Sequence, residues 1–135
     1  VMQDDRLFSD SVRENICGFA ENIDGAWMVE RAARSSFIHE VIIKMPVGYE
    51  ALISEPVARF SGGQKPRVFI AQALYRCPGI LCMDEAISAL NTESENYVNQ
   101  AIKHLNITRI IIAHGEITVK SAARVVLLNA SAGHD

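Results

Sequence analysis

The 135 residues have no long apolar run, no paired cysteines and no excess of basic charge, and each absence removes a class of protein. Cys17, Cys77 and Cys82 make an odd count with no C-x-x-C spacing. That argues against a disulfide framework or a zinc site and fits a reducing cytosol. A stretch of about 18 or more apolar residues is missing, as is a signal-peptide pattern, so neither a spanning helix nor a leader is expected within these residues. The net charge of −3 argues against a dedicated nucleic-acid binder, which would carry a basic face. Repeats and low-complexity segments are also missing. What remains is 49% hydrophobic and 21% charged, a globular profile with enough apolar content to bury a core.

The first half reads as helices joined by loops. Ser11-Val12-Arg13-Glu14 has capping-box spacing and opens a short helix. Asp24 is placed to cap a second, running through Arg34. Phe37, Ile38, Val41, Ile42 and Met45 fall on one face of a third, ended by Pro46 and Gly48. A further helix is expected from the glycine pair near residue 62 to about Arg76.

After Pro78 the texture changes. Ile80-Leu81-Cys82-Met83 reads as a fully buried strand, with Cys82 as a small core hydrophobe. Thr92…Glu95 is another capping box, and Tyr97, Val98, Ala101, Ile102 and Leu105 give its helix an apolar face. Ile110 to Ala113 and Val125 to Leu128 read as two more strands. Strand, helix, strand, helix, strand implies a parallel sheet, so the fold class is α/β behind a helical half. Trp27 and the phenylalanines are read as core or interface packing, Arg6 and Arg13 as members of surface ion pairs, and His39, His104 and His134 as solvated or capping residues. From Ala130 on the chain reads as a frayed tail.

Parallel sheets place polar groups just beyond the carboxyl ends of their strands. Asp84-Glu85 and His114 stand at two such ends. An Asp-Glu tip suits metal-assisted phosphate chemistry, the first carboxylate holding Mg²⁺ and the second polarising water; alternatively these are a helix cap or solvated loop acids. Upstream, Ser61-Gly62-Gly63-Gln64 precedes a helix. Glycines admit close backbone approach, and a following helix directs N–H groups and its positive dipole end at an anion.

Taken in order, these stretches resemble the nucleotide-binding domain of ATP-binding cassette (ABC) transporters. "FSGGQKPR" is similar to the family signature, LSGGQ followed by x-Q-R, and "ILCMDE" to the Walker B strand. "SALN" resembles the D-loop, usually SALD. His114 matches the switch histidine, and Gln3 in "VMQDDRLFSDSVRENI" matches the Q-loop glutamine. "MPVGYEALISE" resembles the exporter loop that precedes the signature. The wording is closest to peptide and bacteriocin exporters of the colicin V secretion type. The resemblance implies a P-loop NTPase-like fragment, with a helical and signature subdomain at about 4–76. The C-terminal part of a RecA-like sheet would follow at about 77–130.

In such a family two domains would sandwich two ATP molecules head to tail. Ser61, Gly62, Gly63 and Gln64 would then meet ATP held by the partner domain. Asp84 and Gln3 would support Mg²⁺, Glu85 would be the general base, His114 the γ-phosphate sensor, and Asn91 the D-loop residue. The implied partners are a second nucleotide-binding domain, an exporter's transmembrane domain and, indirectly, the exported peptide; no nucleic acid is implied. The implied location is the cytoplasmic face of a bacterial inner membrane.

The sequence also departs from the family. No G-x-x-x-x-G-K-[ST] occurs in the 135 residues, and Val1-Met2-Gln3 reads as a strand already in progress. The sequence is therefore expected to be a fragment that by itself neither binds ATP tightly nor hydrolyses it. Pro66 replaces a usual glutamine. It would disrupt a helix starting at Ser61 but be tolerated if the helix starts nearer Gly63. Gln72 and Gly115 replace arginines, Asn91 an aspartate and Ile87 a threonine, while Ser54-Glu55-Pro56-Val57 replaces G-E-x-G. Two other readings stand beside the exporter: a soluble ABC-type ATPase of the DNA-repair kind, and a non-catalytic remnant that still docks onto a partner's ATP.

Overall fold

A computed structural model describes residues 1, 6–20, 25–54, 59–84, 92–112, 119–120 and 122–128. Ser11 opens the first helix as its spacing predicts: its Oγ accepts from the Glu14 N–H at 3.1 Å, and α1 runs Val12–Cys17. Gly18 closes it at φ 64, donating its N–H to the Glu14 carbonyl. That left-handed position is one side-chain-bearing residues rarely adopt. α2, Gly25–Ser35, buries Val29, Ala32 and Ala33 on one stripe. The cap expected at Asp24 lies outside the described residues.

The third helix is shorter than its pattern suggests. α3 spans only His39–Ile42, so it stops before Pro46 and Gly48 are reached. Ile38 and Ile42 are buried as expected, but Phe37 is exposed at φ 57. A left-handed residue cannot be part of a right-handed helix, so Phe37 is used up in the corner between α2 and α3. A 3₁₀ turn, Gly48–Glu50, follows.

This turn changes the reading of His39, which is buried rather than solvated, with Nδ1 2.8 Å from the Tyr49 hydroxyl. Arg13 makes the expected surface pair, Nε to Glu50 Oε1 at 2.6 Å. Burial, reinforced by the Glu30 charge, pushes the Tyr49 phenol up to about 12 from an ordinary 10.0. The folded-state pKa is raised, so the neutral phenol's contribution is complete below pH 10 and is lost as pH rises through about 12. Tyr49→Phe should remove that alkaline limb. Denaturant unfolding should give a parent-minus-variant stability difference that is flat below pH 10 and falls above it.

α4, Lys65–Tyr75, joins the two halves. Val68, Ala71 and Tyr75 enter the core formed by α1, α2 and α3, where Val12, Ile16 and Val29 are also buried. Ile70, on another face, enters a second core with Leu81, Met83, Val98 and Ile102. A helix that buries residues around most of its circumference has no single polar face.

The second core lies under a parallel pair, β1 (Ile80–Asp84) and β2 (Thr108–Ile112), joined through α5 (Thr92–Lys103). Val1 adds a rung on the other edge of β1: its N–H donates to the Cys82 carbonyl and its carbonyl accepts from the Asp84 N–H, both at 2.8 Å. That is the hydrogen-bond pattern of a parallel neighbour, in keeping with the reading of Val1 as strand.

The strands are not buried on both faces. β1 alternates, with Leu81 and Met83 buried and Ile80 and Cys82 exposed; on β2, Ile110 and Ile112 are each 55% exposed. The register pairs Ile80 with Thr108 and Cys82 with Ile110, so these side chains share one sheet face. Among the described residues α4 and α5 supply the apolar cover of the opposite face only. Cys82 is thus not a core residue. Tyr97 is exposed too, although Val98 and Ile102 on the same helix are buried. The expected third strand does not form: residues 122–128 are irregular, and Leu128 is 91% exposed. Trp27, Phe8 and Phe19 lie at the surface rather than in a core. The side chains of the Thr92…Glu95 capping box, and the tail from Ala130, are outside the described part.

Candidate functional site

Ser61, Gly62, Gly63 and Gln64 form a turn that hands the chain to α4. Its two ends hold one another. The Gln64 N–H donates to Ser61 Oγ at 3.3 Å, and the Ser61 N–H donates to Gln64 Oε1 at 3.0 Å. This reciprocal pair has the S-x-x-Q spacing of a capping box, but it closes the turn ahead of α4, whose own N-cap is Gln64. The Ser61 carbonyl also accepts from the N–H groups of Gln64 and Lys65, each at 3.0 Å.

What the turn leaves unused matters more. The N–H groups of Gly62 and Gly63 donate to nothing among the described residues. The Ser61 hydroxyl accepts within the turn, which leaves its own proton free to donate. Gly62 is exposed, lies outside the left-handed region, and a Cβ built on it would meet nothing within 4 Å. Nothing among the described residues therefore requires glycine there. Three donors at the positive end of an 11-residue helix, beside a glycine with open space over it, form a place where a phosphate can come close.

The helix start settles the question of Pro66. α4 begins at Lys65, so Pro66 falls in its first turn, where no intrahelical partner awaits its missing N–H. Arg67, in the sequence a member of the signature stretch, anchors the turn. Its Nε donates to the Gly63 carbonyl at 3.2 Å and its Nη1 to the Phe37 carbonyl at 2.8 Å. Burial lowers this guanidinium's pKa, and Tyr97 acts in the opposite direction.

Asp84 closes β1, half-buried, with no ion pair among the described residues. It pairs in register with Ile112, so the two strand ends stand side by side. No hydrogen bond or ion pair brings Asp84 to the Ser61–Gln64 turn. Gln3, Glu85, Asn91 and His114 lie outside the described residues.

Asn15 drew no attention in the sequence. It is 1% exposed, and its carboxamide fixes the loop leading into α1. Oδ1 accepts from the Phe8 N–H at 2.7 Å, while Nδ2 donates to the carbonyls of Phe8, Asp10 and Ser11 at 3.1, 3.4 and 2.9 Å. That loop is bridged to the segment before the signature. Val12 N–H donates to Ala51 O at 3.0 Å and Ile53 N–H to Asp10 O at 2.9 Å. A cavity of about 280 Å³, lined by Met28, Arg31, Leu74, Tyr75 and Ile107 among others, lies at the other end of α4. An 11-residue helix is about 16 Å long, so that cavity is remote from the turn.

The family model for ABC transporters matches residues 1–88, which include the turn and β1. The chain belongs to the ABC transporter family. Membership implies nucleotide binding, and the fold is that of an ABC ATPase. The chain is 66% identical over 126 residues to the colicin V secretion/processing ATP-binding protein CvaB of Escherichia coli, a match covering 93% of this chain and 18% of that protein. It is 65% identical over 126 residues, with the same coverage, to the probable microcin-H47 secretion/processing ATP-binding protein MchF of Escherichia coli. A solved bacterial Atm1-family ABC exporter with ATP bound superposes with a TM-score of 0.75 at 34% identity, over 87% of this chain and 21% of the other. These ABC relatives are far longer than the present sequence, which spans about a fifth of each. No helix among the described residues is long and apolar enough to cross a membrane.

Proposed function

We propose that this chain is the C-terminal part of the ATP-hydrolysing domain of an ABC exporter that drives a peptide or bacteriocin across a bacterial inner membrane. The observation that carries this reading is the 66% identity, over 93% of the chain, to a colicin V secretion/processing protein. The free donors at Gly62, Gly63 and Ser61 support it, because they suit a terminal phosphate.

In this reading residues of about 4–76 form the helical and signature subdomain, and about 77–130 the Walker B and switch portion. Ser61, Gly62 and Gly63 hydrogen-bond the γ-phosphate of ATP bound by a partner domain in a head-to-tail dimer, and Gln64 keeps their turn in shape. Asp84, a carboxylate at a strand end without an ion pair among the described residues, fits a hard oxygen-binding cation and would hold Mg²⁺ together with Gln3. Bound Mg²⁺ neutralises phosphate charge. Glu85 takes the proton of the attacking water, His114 hydrogen-bonds the γ-phosphate, and Asn91 lines the facing domain. The domain works on the cytoplasmic face of the membrane, against the exporter's transmembrane part.

The test uses the intact exporter polypeptide reconstituted in lipid vesicles. ATP hydrolysis and peptide transport should both be present, and Glu85→Gln should stop both. Hydrolysis that survives the substitution removes Glu85 as the base. Hydrolysis without transport of any peptide removes the exporter assignment.

A further inference from the structure

The cavity at the far end of α4 lies apart from every residue that the nucleotide reading uses. Its walls come from both halves of the fold: Met28 and Arg31 from α2, Leu74 and Cys77 from the end of α4 and the loop beyond it, and Ile107 from the turn after α5. Ile107 immediately precedes β2, and Pro78, also in the lining, stands two residues before β1. The cavity therefore sits at the N-terminal ends of the strands, opposite Asp84. The five residues of β1, at about 3.3 Å each, separate the two ends.

Among the described residues Arg31 is the one charged group in this lining, and it has neither an ion pair nor a side-chain hydrogen bond there. The sequence explains why. Helix neighbours stand three and four residues away, and for Arg31 these are Trp27, Met28, Arg34 and Ser35, none of them acidic. Arg34 by contrast takes Glu30 at 2.6 Å. Met28, Leu74 and Ile107 are half-buried, so apolar wall stays open beside the unpaired cation. A volume of about 280 Å³ lies just under the range of about 300–1,000 Å³ that holds drug-sized molecules. We propose that this cavity binds a small organic anion, a carboxylate on a short aryl or alkyl body. Arg31 bonds the carboxylate, whose two oxygens match the guanidinium fork, while Met28, Leu74 and Ile107 cover the body. A single cation offers little to a polyphosphate, so this occupant differs in class from the ATP of the signature turn.

The experiment follows Cys77, whose exposed thiol lines the cavity. Its alkylation by N-ethylmaleimide in the intact exporter is timed by peptide mass spectrometry, each rate taken relative to the same protein without probe. The probes are 4-phenylbutyrate, its uncharged amide 4-phenylbutyramide, and acetate, which has the charge without the body. Phenylbutyrate at about ten times its half-protecting concentration should slow alkylation about tenfold. The amide and acetate should each need at least about ten times more for the same protection. Arg31→Gln should raise the half-protecting concentration of phenylbutyrate about tenfold. Arg31 is exposed, so its replacement opens no core. A Cys77 that stays unreactive in the intact exporter without probe would show the cavity closed by the rest of the polypeptide and overturn the proposal. Phenylbutyrate without protective effect, an amide as effective as the carboxylate, or undiminished protection in Arg31→Gln would each overturn it as well.

Discussion

Gly62→Ala should leave the melting temperature unchanged or slightly higher while lowering ATP hydrolysis by the intact exporter about a hundredfold. The two halves of this expectation have separate causes. A Cβ at residue 62 would meet no atom within 4 Å, and the backbone there is outside the left-handed region. Under those conditions alanine narrows the unfolded ensemble and stabilises by about 0.4–1 kcal/mol. Among the described residues a methyl group there obstructs nothing, so what it can obstruct arrives from beyond them. If that is the terminal phosphate, displacement by about 1 Å costs about two orders of magnitude in rate. Loss of a preorganised N–H donor costs about as much. Thermal unfolding and initial hydrolysis rates on one preparation decide it. Full activity in a stable variant would remove the turn from the phosphate, and a collapse of both would make Gly62 a structural residue.

Local signals in the sequence were reliable where one short-range interaction decides the outcome. Ser11 caps α1 because a hydroxyl three residues ahead of a free N–H needs no tertiary help. The parallel pairing of β1 and β2 follows from two short apolar runs with a helix between them. Misreadings arose where a distant partner decides. Phe37 shares the spacing of Ile38 and Ile42, but the corner after α2 puts it at positive φ, and no pattern of hydrophobicity reports that. Cys82 and Ile110 carry the composition of strands buried on both faces, yet burial depends on what covers each face, and the described helices cover one. His39 is buried because Tyr49, ten residues along, returns to it.

At the candidate site the types of residue were legible and their arrangement was not. Ser61, Gly62 and Gly63 announced an anion cradle. That Gly62 and Gly63 keep their N–H groups free, and that Gln64 locks the turn, could be seen only in coordinates. The fork of Arg67 joins residues 30 positions apart, a separation no motif spans.

Asn15→Ala should loosen the loop before α1 enough to speed amide exchange at Val12 and Ile53 about a hundredfold, with β1 amides unchanged. The carboxamide makes four hydrogen bonds to this loop and the start of α1 from a side chain that is 1% exposed. Alanine leaves the Phe8 N–H without its partner. It takes one of two donors from the carbonyls of Phe8, Asp10 and Ser11, which keep their backbone donors. An unsatisfied group costs about 1–3 kcal/mol and each further lost hydrogen bond about 0.5–1.5 kcal/mol. A sum of about 3 kcal/mol corresponds to roughly a hundredfold in a local opening equilibrium. Val12 and Ile53 report the opening because their N–H groups bond across to Ala51 and Asp10, the rungs that tie this loop to the segment before the signature. Asn15→Asp keeps the acceptor for Phe8 but turns an oxygen toward three carbonyl oxygens, so its effect should be at least as large. Hydrogen–deuterium exchange on the intact exporter reads these amides directly. Because the loop is tied to the segment before the signature turn, the same variant should also lower hydrolysis. Rapid exchange with full hydrolysis would show that this loop does not bear on the signature turn.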